Sequence, residues 1–322
     1  MLLIAIIKNQ ILFHKVHYLT HKNSNIMKKP VLFLFAVTVL LSACNTGQKP
    51  KSGETEDLSD KIDFQLVEQW RTDTILRIPE SVFYDEEGKV LYVSNIVSID
   101  TPDGVGFISK VDLEGNILDL EWVTGLTFTK GMAKVGDKLY VTELKTVVEI
   151  DIPSASITQR FLIDSAIFLN DLTSDQEGNL YVSDSRGNAI YKISKGVVSV
   201  VLDDGLVGPN GLLLMDDRLL LTSDGKLASL EMGIGEQKLS VLADSILRGD
   251  GIADTGIPGH YLVTSWLGQV FMVYPDHTKA SLLYTEDQGI NTADIDFAID
   301  PEIIFVPTFF GNNVVAYKLV RK

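Results

Sequence analysis

The sequence predicts an all-β, six-bladed β-propeller with four antiparallel strands per blade, and three observations predict it. From residue 78 onward one phrase recurs at intervals of about 40 to 50 residues: apolar strand, turn, β-rich strand, polar break. Within that phrase Asn170, Asn210 and Asp250 stand at a spacing of 40. No sustained amphipathic helix competes with the strand pattern anywhere. A repeat of this length with four short strands per unit is the mark of a propeller blade.

The six units begin at ESVFYDEEGKVLYVSN (Glu80), KGMAKVGDKLYVTE (Lys130), NDLTSDQEGNLYVSDS (Asn170), NGLLLMDDRLLLTSDG (Asn210), DGIADTGIPGHYLVTSW (Asp250) and ADIDFAIDPEIIFVPTFF (Ala293). After each comes a looser strand pair, such as AIYKISKGVVSVVL at 189–202. Asp-Gly, Glu-Gly-Asn and Pro-Asp clusters punctuate the strands, as hairpin turns require. The sixth unit reaches Tyr317-Lys318-Leu319 with only three strands. DFQLVEQW (63–70) reads like the last strand of the other units. It therefore supplies the missing strand and closes the ring from the N-terminal side, protecting otherwise open edges. The alternative is a helix over 56–70.

Residues 1–43 read as a leader. Met27-Lys28-Lys29-Pro30 precedes the apolar run VLFLFAVTVLLS and then Ala43-Cys44. A basic start, a short apolar stretch and small residues before the cut describe a secretory signal, and the run is short for a membrane span. Leu41-Ser42-Ala43-Cys44 resembles a bacterial lipobox, with Cys44 the lipidated residue; the alternative is a plain cleaved signal. Residues 1–26 sit poorly before such a signal, so Met27 is the expected start. Residues 44–61 are polar and nearly free of aromatics, a flexible tether, and 62–322 form the propeller. The expected location is the bacterial cell envelope, with the membrane engaged only through the lipid.

Cys44 is the sole cysteine among 322 residues, so neither an intramolecular disulfide nor a Cys-based zinc site can form. Beyond residue 43 the only histidines are His260 and His277. The net charge is −15, and the leader carries five lysines and no acid, so the remainder is more acidic still. Such a surface repels nucleic acid and suits attraction of cations into a cleft. No P-loop, H-E-x-x-H or G-x-S-x-G occurs, and nothing indicates a nucleotide site.

Aligned, the phrases stack Glu80, Lys130, Asn170, Asn210, Asp250 and Ala293. The first strand of each blade lines the central channel, so these six positions ring its mouth. Asn-Asp, Asn-Gly and Asp-Gly are ordinary turn dipeptides individually. Their common phase instead indicates convergence of Glu80, Asn170, Asn210 and Asp250 on one hard cation. Two carboxylates and two amides suit calcium, leaving positions for water and substrate. Mg2+, Mn2+ and Zn2+ are the alternatives.

PES-VFYD, LND-LTSDQEGNLYVSD, GPNGLLL and GDGIAD resemble the gluconolactonase/regucalcin family, itself similar to the diisopropylfluorophosphatase and paraoxonase propellers. The resemblance spans about residues 65–320. It implies one divalent metal at the channel mouth, with Glu80 matching the first-blade glutamate. Asn170 matches the asparagine of the FND motif, Asn210 that of PNG, and Asp250 the aspartate of PDG. Phe168 stands where the sugar lactonases carry arginine, and no histidine matches the paraoxonase dyad.

Antiparallel pairing brings the ends of the second strands beside this ring. Those ends are Asn95, Glu143, Asp184, Asp224, Trp266 and Phe309. Trp266 and Phe309 are expected to wall a small-molecule substrate. Asp184 is expected to steady an amide ligand as an outer-sphere residue. Lys130 is expected to face a substrate anion or, preferentially, to pair with Glu143. The expected activity is metal-dependent hydrolysis of a lactone or related ester, with Asp250 as catalytic base or nucleophile. The rival is a non-catalytic envelope propeller that binds a ligand or protein around a structural calcium.

Overall fold

The computed structural model describes residues 63–100, 105–233 and 238–322. The leader, Cys44 and the tether lie outside these residues. Among the described residues no helix is long and apolar enough to cross a membrane.

Twenty-four strands form six separate four-stranded sheets, each antiparallel throughout. Blade one runs Pro79–Asp85, Val90–Asn95, Gly106–Val111, Ile117–Leu126. Blade three runs Leu169–Ser174, Leu180–Asp184, Ala189–Ser194, Val197–Leu202, and blades two, four and five repeat the scheme. Among the described residues two short 3-10 turns interrupt the strands, Glu286–Gln288 and Phe309–Gly311. The hairpin chemistry is as expected. Asp112 and Asp175 each accept backbone N–H groups two and four residues on, which tightens the DLEGN and DQEGN turns.

The ring closes as the sequence predicts. Phe64–Arg71 pairs with Val314–Arg321, from Phe64 opposite Arg321 to Arg71 opposite Val315. It thereby completes the sheet of Asp296–Ala298 and Ile303–Pro307, and a helix over this stretch is excluded. Phe64 is buried against blades five and six. Trp70 donates its indole N–H to Leu113 O of blade one at 2.7 Å. The strand thus fastens the sixth blade to the first.

Each of six apolar clusters fills a seam between neighbouring blades. Leu91, Val93, Phe305 and Val314, for example, join blades six and one. Full burial of a side chain of this size contributes about 1.5–3 kcal/mol. Burial falls from the axis outward: Leu180–Asp184 is wholly buried, whereas the outer strand Ser156–Leu162 is largely exposed. A seventh cluster belongs to no seam. Ile96, Phe128, Ala293 and Phe309, with Phe168 and Trp266 against them, cap the face on which the first strands begin.

Candidate metal centre at the channel mouth

Each blade's first strand meets the next around the axis. Gly131 N donates to Asn170 O at 3.2 Å, and Asp294 N donates to Glu80 O at 3.0 Å. Threonines at the second strands lock the same joints: Thr142 donates to Asn170 O, Thr222 to Asp250 O and Thr264 to Ala293 O. Glycine is required beside these joints. A Cβ on Gly211 would overlap the Asp250 carbonyl oxygen, and one on Gly251 would crowd Ile295 N and the Asp294 carboxylate.

The six aligned positions do form one ring, and it is buried. Glu80 is 4% exposed, Lys130 6% and Asp250 3%. Asn210 is the half-exposed member. Lys130 Nζ lies 2.9 Å from Glu80 Oε1, and Asn210 Nδ2 donates to Asp250 Oδ1 at 2.9 Å. Asn170 is steadied differently. Its Nδ2 donates to Ser185 Oγ at 3.1 Å, and Ser185 in turn donates to Pro209 O at 2.7 Å, beside Asn210.

Among the described residues two oxygens of this ring have no hydrogen-bond partner. Glu80 Oε2 and Asn210 Oδ1 are buried and accept no hydrogen bond. An orphaned buried acceptor costs about 1–3 kcal/mol. The electrostatics point the same way. Burial pushes the Asp250 carboxyl well above the usual range, and the Glu80 and Asp294 carboxylates push it further, against Lys130 and the Asn210 amide. Burial also raises Glu80, against the attraction and hydrogen bond of Lys130. One ammonium does not neutralise this site.

These features fit a hard divalent cation, which would supply positive charge and occupy lone pairs that the chain leaves unused. Glu80, Asn210 and Asp250 are the residues best arranged to hold it, with Asn170 alongside. Among the described residues no group of three or more His, Cys, Asp or Glu is arranged as metal ligands. A cation here therefore depends on amide oxygens and water as much as on carboxylate.

The expected Lys130–Glu143 pair does not form. Glu143 binds the Arg160 guanidinium at 2.7 Å and accepts Thr127 N at 2.7 Å, while Lys130 turns to Glu80. Asp184 makes no hydrogen bond to an amide side chain among the described residues. Its carboxylate accepts the backbone N–H groups of Ile167, Phe168, Arg186 and Gly187, and so fixes the segment just before Asn170. The same device recurs at three other second-strand ends. Asn95 accepts Arg77 N, Glu143 accepts Thr127 N, and Ser223 accepts Val207 N. In blade four that residue is Ser223; Asp224 is exposed and pairs with Lys226. Trp266 and Phe309 meet edge to face at 5.4 Å, and Phe309 packs with Ala293 of the ring. They are on the mouth face, as the strand geometry requires.

A second ring lies one residue deeper: Ser81, Gly131, Asp171, Gly211, Gly251 and Asp294. Asp171 accepts Leu212 N at 2.6 Å and Leu172 N at 2.7 Å, and Ser81 donates to Asp294 at 2.6 Å. Below it the channel opens into a cavity of about 280 Å³ lined by Asp171, Asp294, Asp296 and Lys134. Sequence reasoning gave these acids no part in the site, Asp294 and Asp296 because they lack the rest of an EF-hand loop, although Asp171 and Asp294 directly follow ring positions. It also passed over Ser185 and Arg186, whose place beside the ring comes from the turn after the second strand.

No family model matches the sequence, and no curated protein sequence matches it. Solved structures do. A streptogramin B lyase superposes with a TM-score of 0.59 at 14% identity, covering 80% of this chain and 98% of that one. A catalytically inactive virginiamycin B lyase from Staphylococcus aureus, with quinupristin, gives 0.56 at 13% identity, covering 81% and 100%. A protein of unknown function from Bacteroides thetaiotaomicron gives 0.59 at 8%, covering 76% and 70%. At these identities the likeness is one of fold: the chain is a six-bladed propeller.

Proposed function

We propose that the protein binds a divalent cation, calcium foremost, at the channel mouth and hydrolyses a lactone or related ester there. The observation that carries this is the pair of unpartnered buried oxygens, Glu80 Oε2 and Asn210 Oδ1, at two of the four ring positions matched by the gluconolactonase/regucalcin motifs. Supporting it is the excess of buried carboxylate over Lys130.

In this reading Glu80, Asn170, Asn210 and Asp250 hold the cation. When bound, it would polarise the scissile carbonyl and favour the developing oxyanion. The chain does the rest. Asn210 orients Asp250 through Oδ1, Ser185 orients Asn170, and Lys130 fixes one oxygen of Glu80. Asp250, which would shift from ligand to base during turnover, takes the proton from the attacking water and passes it to the leaving alkoxide as the ester C–O bond breaks. Glu143 and Asp184 act at one remove, holding the backbone that carries the neighbouring ring residues. Trp266 and Phe309 offer the apolar wall. Attachment to the bacterial envelope through Cys44 belongs to the same proposal and is supported by the sequence of residues 27–44.

One observation favours a second reading, a non-catalytic binding module with a structural cation. Lys130 already brings a buried positive charge to Glu80, and the ring offers no histidine. The test is turnover of lactones and aryl esters by the purified protein, with and without EDTA, beside Asp250→Asn. Activity lost in both cases supports the hydrolase. No turnover, with a calcium-dependent rise in melting temperature, supports the binding module. No calcium effect of either kind overturns both.

A further inference from the structure

Phe168 carries two cations. The Arg186 guanidinium lies 4.3 Å from its ring centroid and Lys130 Nζ lies 4.9 Å from it. The two differ in how they are satisfied. Lys130 is held by Glu80. Arg186 is half-buried and makes no salt bridge or side-chain hydrogen bond among the described residues. The nearest acid, Asp184, spends its carboxylate on four backbone N–H groups. A planar guanidinium with five N–H donors, set over an aromatic face, is preorganised for an oxyanion and has none hydrogen-bonded to it among the described residues.

Its neighbourhood is largely aromatic, with a second guanidinium, that of Arg248, 5.1 Å from the Trp266 ring centroid. Phe168 belongs to the cluster that caps the mouth, continuous with Trp266, Phe309 and Phe128. Phe310 extends that surface to solvent, 4.8 Å from Phe309 and 49% exposed. Arg186 adjoins Ser185, which holds Asn170 of the ring, so guanidinium, shelf and ring form one continuous site.

We propose that Arg186, laid on Phe168, is the anion-recognition residue of the mouth, and that the molecule taken there is amphiphilic. It joins a compact oxyanion of the carboxylate or sulfonate class to an apolar or aromatic body that covers the Phe168–Trp266–Phe309 shelf. This deepens the preceding reading, on which it rests for the mouth being the ligand site, by naming the substrate class. The aromatic contact holds Arg186 without a salt bridge; Asp184 attracts it only at a distance, with its oxygens committed to backbone N–H groups, so the guanidinium donors stay open to an incoming anion.

The test uses two fluorescent probes of similar size, the anion 1-anilinonaphthalene-8-sulfonate and the neutral N-phenyl-1-naphthylamine, titrated in EDTA and again in calcium. Arg186→Gln is expected to weaken the anionic probe at least tenfold and leave the neutral probe within twofold. Arg186→Lys keeps the charge, loses the planar fork of donors, and is expected to fall between. Energy transfer to the bound anion is expected to drop sharply in Trp266→Phe, because Trp70 and Trp122 lie away from the mouth cluster. Equal weakening of both probes, or equal anion affinity in wild type and both Arg186 variants, overturns the proposal. If calcium has no effect on the protein but the anion still depends on Arg186 in EDTA, the cation reading fails and this one stands.

Discussion

Lys130 sets its ammonium 2.9 Å from one oxygen of Glu80, and the other oxygen of the same carboxylate is buried without a partner. Half of this carboxylate is satisfied from within the chain and half is not. Removing one partner of a buried pair costs about 3–5 kcal/mol. Lys130→Met is therefore expected to melt well below wild type in EDTA and to gain more than wild type from millimolar calcium. Scanning fluorimetry in the two buffers checks this. An equal deficit in both buffers would mean that lysine and cation do not share Glu80.

Asn210 gives its N–H to Asp250 and leaves its oxygen orphaned. Asn210→Leu removes one orphaned acceptor but leaves Asp250 Oδ1 without its donor, so the number of buried unsatisfied oxygens is unchanged and stability in EDTA is expected to fall by about 1 kcal/mol, the hydrogen bond itself. The calcium-induced rise in melting temperature is expected to vanish. Calorimetric titration of both proteins with calcium measures it directly, and retained binding would remove Asn210 from the ligand set.

Asp184 gathers four backbone N–H groups, two of them from the residues just before Leu169 and Asn170. Asparagine offers a single acceptor oxygen and turns an N–H2 toward the remaining donors. Asp184→Asn is expected to cost about 2–3 kcal/mol and to speed amide hydrogen exchange at residues 167–170. The outer strand Val197–Leu202 is expected to exchange as before. Loss confined to that outer strand would contradict the clamp.

Gly211 faces the Asp250 carbonyl with no room for a methyl group. The obstruction is backbone, which cannot swing aside. Gly211→Ala is expected to destabilise by about 3 kcal/mol or more, at or above the top of the usual overpacking range, and to displace Asp250. Urea unfolding provides the number. A neutral substitution would show that blades four and five separate freely at the axis.

The ring of six could be read from the sequence because a repeat fixes phase. Equal position in equal blades means equal height on the axis, and Glu80 through Ala293 obey this. Phe64–Arg71 could be placed because a three-strand remainder has to be completed. What escaped is what depends on side-chain direction. Lys130 prefers Glu80 because Glu143 is taken by Arg160 and by Thr127 N, a competition that strand order does not reveal. Ser185 and Arg186 occupy a turn whose course over Phe168 follows from the Asp184 clamp, and no periodic pattern encodes that.

Asp296 lies in the channel wall near the far cavity, and burial pushes its carboxyl up to about 6, against backbone N–H groups of Tyr84 and Phe297. Its ordinary value is 3.8, so the folded protein binds this proton more tightly than the unfolded chain does. Stability is then unimpaired below about pH 4 and is lost as pH rises toward 6. The loss levels off near 3 kcal/mol, from about 1.4 kcal/mol per pH unit. Asp296→Asn abolishes this titration while keeping one acceptor for Tyr84 N. The unfolding free energy of wild type minus that of the variant is therefore expected to fall by about 3 kcal/mol between pH 4 and pH 7. Asp294 is pushed up to about 8, chiefly by burial and partly by the Glu80 and then the Asp296 carboxylates, against the Ser81 hydrogen bond, so a small residual slope is expected above pH 7. Urea titrations of both proteins at unit pH steps give the curve. A flat difference, or one that rises with pH, would show that Asp296 is ionised in the folded channel.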